Sequence, residues 1–353
     1  MPLRVRPSPD AHQAPTLPDA EPDRVLLVTA YFPFSSSKHG TWDYDNWMAL
    51  FLGTMHADVY MFVPPELESK VRAIRGNTGR LTVDTRWNRP HDIPPLADPK
   101  RREQLASQRE KDREKKYHNA DLYAVWAAKP FFVDQALKQA NSNESYAFAF
   151  WMDVGTFRRP HAFKRWPDVC FLRSVYENVA QRPDAVFMPI QWTPKWGNRG
   201  WKEDDGPLDI DMAIGSVFGG TPAGLQWFNK AYFTYFYHYL DAGYFAGKDQ
   251  TVWNALLMLF PDRFVTVFAS DPQTMPGGKN RGQGPGDCGG WWGYYAYWLA
   301  PPHERLATEE EFFNGVRCTR IRALPLLSVL RRSLGWGWTP PRASVKLIEP
   351  PTA

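Results

Sequence analysis

From residue 24 to about residue 270 the chain alternates short apolar runs with longer amphipathic stretches. Val25 to Phe32 (VLLVTAYF) is almost continuously apolar and β-branched, the pattern of a strand buried on both faces. From Tyr44 to Met55, Trp47, Leu50, Phe51 and Met55 recur at helical spacing. Ala57 to Pro64 predicts a second strand, Glu66 to Ile74 a helix and Arg80 to Thr85 a third strand, which together give a strand–helix–strand alternation. Asp121 to Ala140 predicts a helix whose apolar side holds Leu122, Val125, Trp126, Phe132, Val133, Ala136 and Leu137; Pro130 should kink or restart it. Further strands are predicted at Ala147 to Met152, Ala185 to Ile190 and Ile210 to Phe218, the last of these closed by Gly219-Gly220, with a final strand at Phe264 to Phe268. Ala223 to Gly243 and Gln250 to Leu259 read as helices. The expected fold is a single α/β domain: a mostly parallel, Rossmann-type sheet flanked by helices on both faces.

The ends of the chain differ from this body. Residues 1–23 carry six prolines and read as a disordered arm, residues 24–320 as the domain, and residues 321–353 as an amphipathic basic helix followed by a Pro-rich tail. In that tail Leu324, Leu327 and Leu330 share a helical face beside Arg320, Arg322, Arg331 and Arg332. The face either packs on the body or lies on a membrane surface. Residues 100–116 are densely charged with mixed signs and read as a solvated helix or a mobile loop, and residues 271–290 as a loop. No stretch of about 18 apolar residues is present, and the N-terminus has no apolar core of a secretory signal. A cytoplasmic protein is expected, with Golgi association open through the tail. Cys170, Cys288 and Cys318 form neither a disulfide framework nor a zinc pair. A net charge of +4 without a basic stripe argues against nucleic acid as partner. Aromatic residues make up 15% of the chain, with 16 Trp. They serve either a ring-rich core or sites where a flat ring meets a sugar or a base.

Three polar clusters follow predicted strands or open a helix. Asp153 leaves an apolar strand, and Gly155 two residues later gives a ligand room to approach the backbone. The alternative for Asp153 is a cap, or a pairing with Arg158 or Arg159. Gly215 to Thr221, with Gly219 and Gly220 after a strand, offers either backbone N–H groups to a ligand or a tight turn. In Gly247-Lys248-Asp249-Gln250, Asp249 is an N-cap or an acid aimed into a cleft. A shared site requires Asp153, Gly219-Gly220 and Asp249 to converge, with the two carboxylates roughly 8–15 Å apart around a sugar.

Taken in order, these pieces resemble the HtrL/YibB-like proteins: Val28 to Phe32 with Ser37-Lys38, Trp47-Met48, Trp126 with Lys129 to Val133, Phe150 to Arg158, Phe218 to Gly220, and Gly247 to Gln250. The resemblance spans about residues 25–270 and implies a GT-A-like glycosyltransferase that takes a nucleotide-sugar donor and a carbohydrate or glycan acceptor. It also implies that Asp153 sits where the first acid of an Asp-x-Asp motif would meet the donor ribose and a divalent cation, Mn or Mg. The sequence departs from that motif at its third position, which is Gly155. On this reading Lys38, Lys129 and Lys248 offset diphosphate charge, Gly155, Gly219 and Gly220 line the donor, and Asp249 serves the acceptor as base, with Asp211 as its competitor. The alternative is a catalytically inert carbohydrate- or nucleotide-binding protein on the same fold.

Overall fold

Every residue of β1 (Val25–Ala30) and of β4 (Phe148–Met152) is buried, and the two strands pair in parallel at the centre of the sheet. Their side chains alternate between two cores. Leu26, Val28, Ala149 and Trp151 enter one, and Val25, Leu27, Phe148 and Phe150 the other. A strand buried on both faces has no solvated side, which is why these runs lack polar alternation. The computed structural model describes residues 24–34, 39–141, 146–271, 294–312 and 322–352. The Pro-rich arm, Lys38, most of the Gly-rich loop, Cys288 and Cys318 lie outside the described residues.

The remaining strands are β2 (Asp58–Phe62), β3 (Leu81–Asp84), β5 (Val186–Phe187), β6 (Val217–Gly220), β7 (Phe264–Val267) and β8 (Ala323–Pro325). The sheet order is β3-β2-β1-β4-β6-β5-β7-β8. Strand β6 runs antiparallel to both neighbours and β8 antiparallel to β7, while the other strands run one way. One face is covered by α4 (Ala120–Asn141), α6 (Pro222–Asp241), α7 (Asp249–Leu259) and α10 (Leu326–Leu334). The other is covered by α1 (Thr41–Leu52), α2 (Glu68–Arg75), α5 (Val169–Val175) and α8 (Tyr294–Leu299). Helices α3 (Pro99–Gln108) and α9 (Pro302–Phe312) complete the set among the described residues. The α/β class and the helices on both faces are as expected.

The structure differs from the sequence reading at several points. Residues 210–216 form no extended strand: Ala213 makes an isolated antiparallel bridge with Ile190, and the Asn254 side chain takes neighbouring backbone groups, its amide donating to the carbonyls of Leu208 and Ile210 at 2.9 and 2.7 Å and its Oδ1 accepting from Ala213 N at 3.0 Å. Gly219 and Gly220 do not close a strand; they are part of β6. Strand β7 is not the last, since β8 adds to it at the sheet edge. Helix α4 runs through Pro130 without restarting. Packing of Phe131, Phe132, Val133 and Ala136 into the core outweighs the one backbone bond that proline removes.

The charged run at 100–116 begins with α3, capped by the Asp98 carboxylate on Lys100 N at 2.8 Å. It is tied to the body by Arg101 on Asp241 (2.6 Å), Arg113 on Asp209 (2.6 Å) and Lys111 on the Gly243 carbonyl (2.6 Å). In the tail, Leu324, Leu326, Val329, Leu330 and Leu334 are buried and Leu327 is half-buried. The body thus covers the apolar face of α10 that a membrane surface would need. Among the described residues no helix is long and apolar enough to cross a membrane.

Candidate functional site

A cavity of about 390 Å³ opens at the C-terminal ends of β1 and β4. Open α/β sheets place ligands in this crevice because strand ends converge there. Four segments wall it: Tyr31 to Phe34 after β1, Asp153 to Thr156 after β4, Ala213 to Ser216 leading into the antiparallel β6, and Asp249-Gln250 opening α7. Leu122, Val125, Trp126 and Lys129 form a stripe at helical spacing down α4, and Tyr44 and Trp47 of α1 close the opposite side. At 1.5 Å per residue the α4 stripe from Leu122 to Lys129 is about 10 Å deep.

Lys129 is the floor. Its side chain is 2% exposed, and its ammonium lies 3.0 Å from Asp153 Oδ1 and 2.8 Å from Asp249 Oδ2 while donating to the Gly215 carbonyl at 2.8 Å. Three acceptors match its three protons. The Trp151 and Trp253 rings stand 5.9 and 5.6 Å from the nitrogen. Burial pulls the Lys129 pKa down, but the Asp153 and Asp249 carboxylates outweigh it and leave the pKa above its ordinary value. For Asp249 burial dominates instead, and its pKa stays raised despite the Lys129 ammonium. Asp153 differs in exposure: its side chain is 36% exposed in the cavity, and its Oδ1 also accepts from Trp151 Nε1 at 2.7 Å.

Asp153, Gly155, Lys129 and Asp249 therefore meet in one cavity. Two oxygens held at 3.0 and 2.8 Å from one nitrogen are less than about 6 Å apart, so the carboxylates share an ammonium and leave no gap for a sugar. Asp249 is the first residue of α7, after Lys248 at the N-cap, and its Oδ1 accepts from Gln250 N at 2.8 Å. Gly219 and Gly220 stand apart from the cavity. Their backbones pair with β4 and β5, and a Cβ on Gly219 would lie 2.2 Å from the Phe150 ring, so the glycine there is a packing requirement. Lys248 pairs with Glu114 and does not line the cavity; Asp211 is exposed and does not line it either. Lys38 lies outside the described residues.

A divalent cation at Asp153 meets an ammonium already on that carboxylate. Gly155 cannot supply a second ligand, because a Cβ there would lie 2.9 Å from Cε3 of Trp47. A second group, Asp112, Glu114 and His118, places ligand atoms within 4.8 Å of one another. Those atoms are also committed. Asp112 accepts from Glu114 N at 2.7 Å, from Tyr123 OH at 2.8 Å and pairs with His118 Nδ1 at 2.6 Å, while the Lys248 ammonium sits on Glu114. The Asp112, Glu114 and His118 atoms lie close enough together to hold a divalent cation, with the Lys248 ammonium on Glu114 as its competitor, and no step is derived through a metal.

This second group is what sequence reasoning missed. Burial pushes the Asp112 carboxyl up, but the three hydrogen bonds together bring it below its usual range. His118 lines the cavity with Tyr117 and packs edge-on against Trp126, centroids 4.9 Å apart. The available signal was the Asp112, Glu114, His118 spacing at the end of the charged run, hidden by treating that run as a solvated face.

No protein-family model matches the sequence, and no curated protein matches it. Among solved structures, the fold is similar to core-mannan synthase A (CmsA/Ktr4) of Aspergillus fumigatus in its Mn/GDP form, with a TM-score of 0.40 and 13% identity over 72% of this chain and 75% of that one. So loose a likeness carries no argument about the site, which is read from its own residues.

Proposed function

We propose that the chain is a GT-A-like glycosyltransferase of the HtrL/YibB-like kind, moving a sugar from a nucleotide-sugar donor to a carbohydrate or glycan acceptor. The observation that carries this reading is the half-exposed Asp153 carboxylate just beyond β4, at the floor of an aromatic-walled cavity large enough for a sugar. Support also comes from the resemblance itself: Tyr31, Phe32, Trp47, Trp126, Lys129, Asp153, Gly155, Asp249 and Gln250 are distant in sequence yet line that one cavity.

On this reading Asp153 accepts hydrogen bonds from donor hydroxyls, and Lys129 holds it in place while neutralising the buried Asp249. Arg158, which stands 4.5 Å over the Trp47 ring at the cavity edge, supplies positive charge toward the diphosphate. The indole and phenol faces meet the apolar faces of the sugar. The inert-binding alternative is favoured by the single accessible acid. Calorimetry with a panel of UDP- and GDP-sugars, with Mn²⁺ and with chelator, together with an assay of nucleoside diphosphate release, separates the two. Binding with release is expected. Binding without release supports the inert protein, and no binding by any donor overturns both.

A further inference from the structure

Transfer to a hydroxyl needs a base within reach of the acceptor, and the acids of the floor are poorly placed for that work. Asp249 is 3% exposed with its Oδ2 on Lys129. Asp153 accepts from an ammonium and an indole through its Oδ1, and Asp211 is outside the cavity. The mouth is different. His118 precedes α4 at the open end of the cavity, its side chain 14% exposed and its Nδ1 2.6 Å from a carboxylate that is 1% exposed. That carboxylate, Asp112, is held by Tyr123 OH and Glu114 N as well. With Nδ1 pinned, the other ring nitrogen is the one open to the cavity. Nε2 has no hydrogen-bond partner among the described residues and is not among the buried polar atoms left without one. A carboxylate that accepts from Nδ1–H selects the tautomer in which Nε2 carries the lone pair, the arrangement a general base uses. The other cavity imidazole, His39, approaches Asp43 at 4.0 Å and packs edge-on against Trp47, centroids 4.9 Å apart.

We propose that His118, oriented by Asp112, is the base that takes the acceptor's proton, an inference that rests on the glycosyl-transfer reading. The acceptor oxygen bonds to the anomeric carbon and its proton passes to Nε2. The bond from the anomeric carbon to the diphosphate oxygen breaks, and its electron pair leaves on the diphosphate. Asp112 stays ionised and steadies the imidazolium. It is a positioning residue, and His118 is the catalytic one. The α4 stripe from Leu122 to Lys129, about 10 Å long, lies between His118, which precedes the helix, and the ammonium that Asp153 contacts.

The test uses the full chain and a UDP- and GDP-sugar panel, with water as acceptor and nucleoside diphosphate release as readout, beside ¹⁵N NMR of the histidine rings. In the wild type the His118 ring is expected as the Nδ1–H tautomer. In Asp112→Asn that preference should be lost and the pH profile of turnover should shift. His118→Gln should lower turnover on the order of 100-fold or more, with donor Kd changed less than about twofold. A wild-type Nε2–H tautomer, or His118→Gln turning over like the wild type, overturns the base while leaving glycosyl transfer standing. Mn²⁺ binding that disappears in His118→Gln also overturns it, by making the ring a metal ligand. A wild type that binds no donor overturns the transfer reading and takes the base with it.

Discussion

Among the described residues Arg75 and Lys129 are the most deeply buried cations, and they are buried differently. Arg75, at the end of α2, is 2% exposed and gives all five of its N–H groups to main-chain carbonyls: those of Gly79, Leu52, Met55, Ala57 and Arg80, at 2.6–3.1 Å. It ties the end of α1 to the starts of β2 and β3. Burial lowers its pKa to about 10, which leaves it charged at neutral pH. Lys129 is equally buried, but two of its three partners are carboxylates, one of them open to the cavity. Carbonyl partners solvate a charge and hold chain segments together. A carboxylate with one oxygen facing a cavity keeps capacity for a ligand. The first cation belongs to the fold alone, the second to fold and site together.

The largest effect should come from Lys129→Met, which strands Asp249 in the core. Urea unfolding is expected to show a loss of about 3–5 kcal/mol, and donor binding should vanish with it. Adding Asp249→Asn should recover much of the stability but not the binding. Equal recovery of both would make Lys129 purely structural. Folding raises the affinity of Lys129 for its proton, so its stabilising effect is complete below its unfolded pKa of 10.5 and fades as pH climbs through the higher folded value. The gap in unfolding midpoint between wild type and Lys129→Met should therefore narrow above pH 10.5.

Arg75→Met comes next. It leaves five carbonyls short of a donor and should cost about 3 kcal/mol, while donor Kd in calorimetry of the folded fraction stays unchanged. A loss of affinity there would break the division between the two cations. Asp153→Asn should weaken donor binding roughly 10–100-fold, with stability lowered by about 1–2 kcal/mol, since the Lys129 ammonium and the Trp151 indole both bond its Oδ1 and a neutral amide weakens both contacts. Unfolding without a binding defect would move Asp153 to the structural side. Lys248→Met should do least. Its partner Glu114 is half exposed, so a change under about 1 kcal/mol in thermal unfolding and an unaltered donor Kd are expected.

The contrast between Arg75 and Lys129 was not legible in the sequence, because the partners of a buried cation come from segments far apart. What could be read was the set of strands whose burial leaves a continuous apolar run: β1, β2 and β4 fall inside their predicted spans. Asp153, Gly155, Lys129 and Asp249 were legible as residues of one cavity because they sit at strand ends or are matched by the resemblance. The 210–216 segment misled because its apolar residues are buried around an isolated bridge at Ala213 and the Asn254 side chain, without an extended ladder. Gly219 and Gly220 misled because a glycine that admits a backbone to a ligand and one that admits a phenylalanine ring look alike in one dimension. His118 was missed because its partner Asp112 lay among charges that are mostly exposed.

Gly155 carries one more consequence. Trp47 fills the place where a side chain at 155 would stand, and Arg158 stacks 4.5 Å from the same ring. A second acid at 155 would therefore push the indole aside, and moving the indole disturbs the ring beneath Arg158. Positions 47, 155 and 158 are thus coupled through one ring.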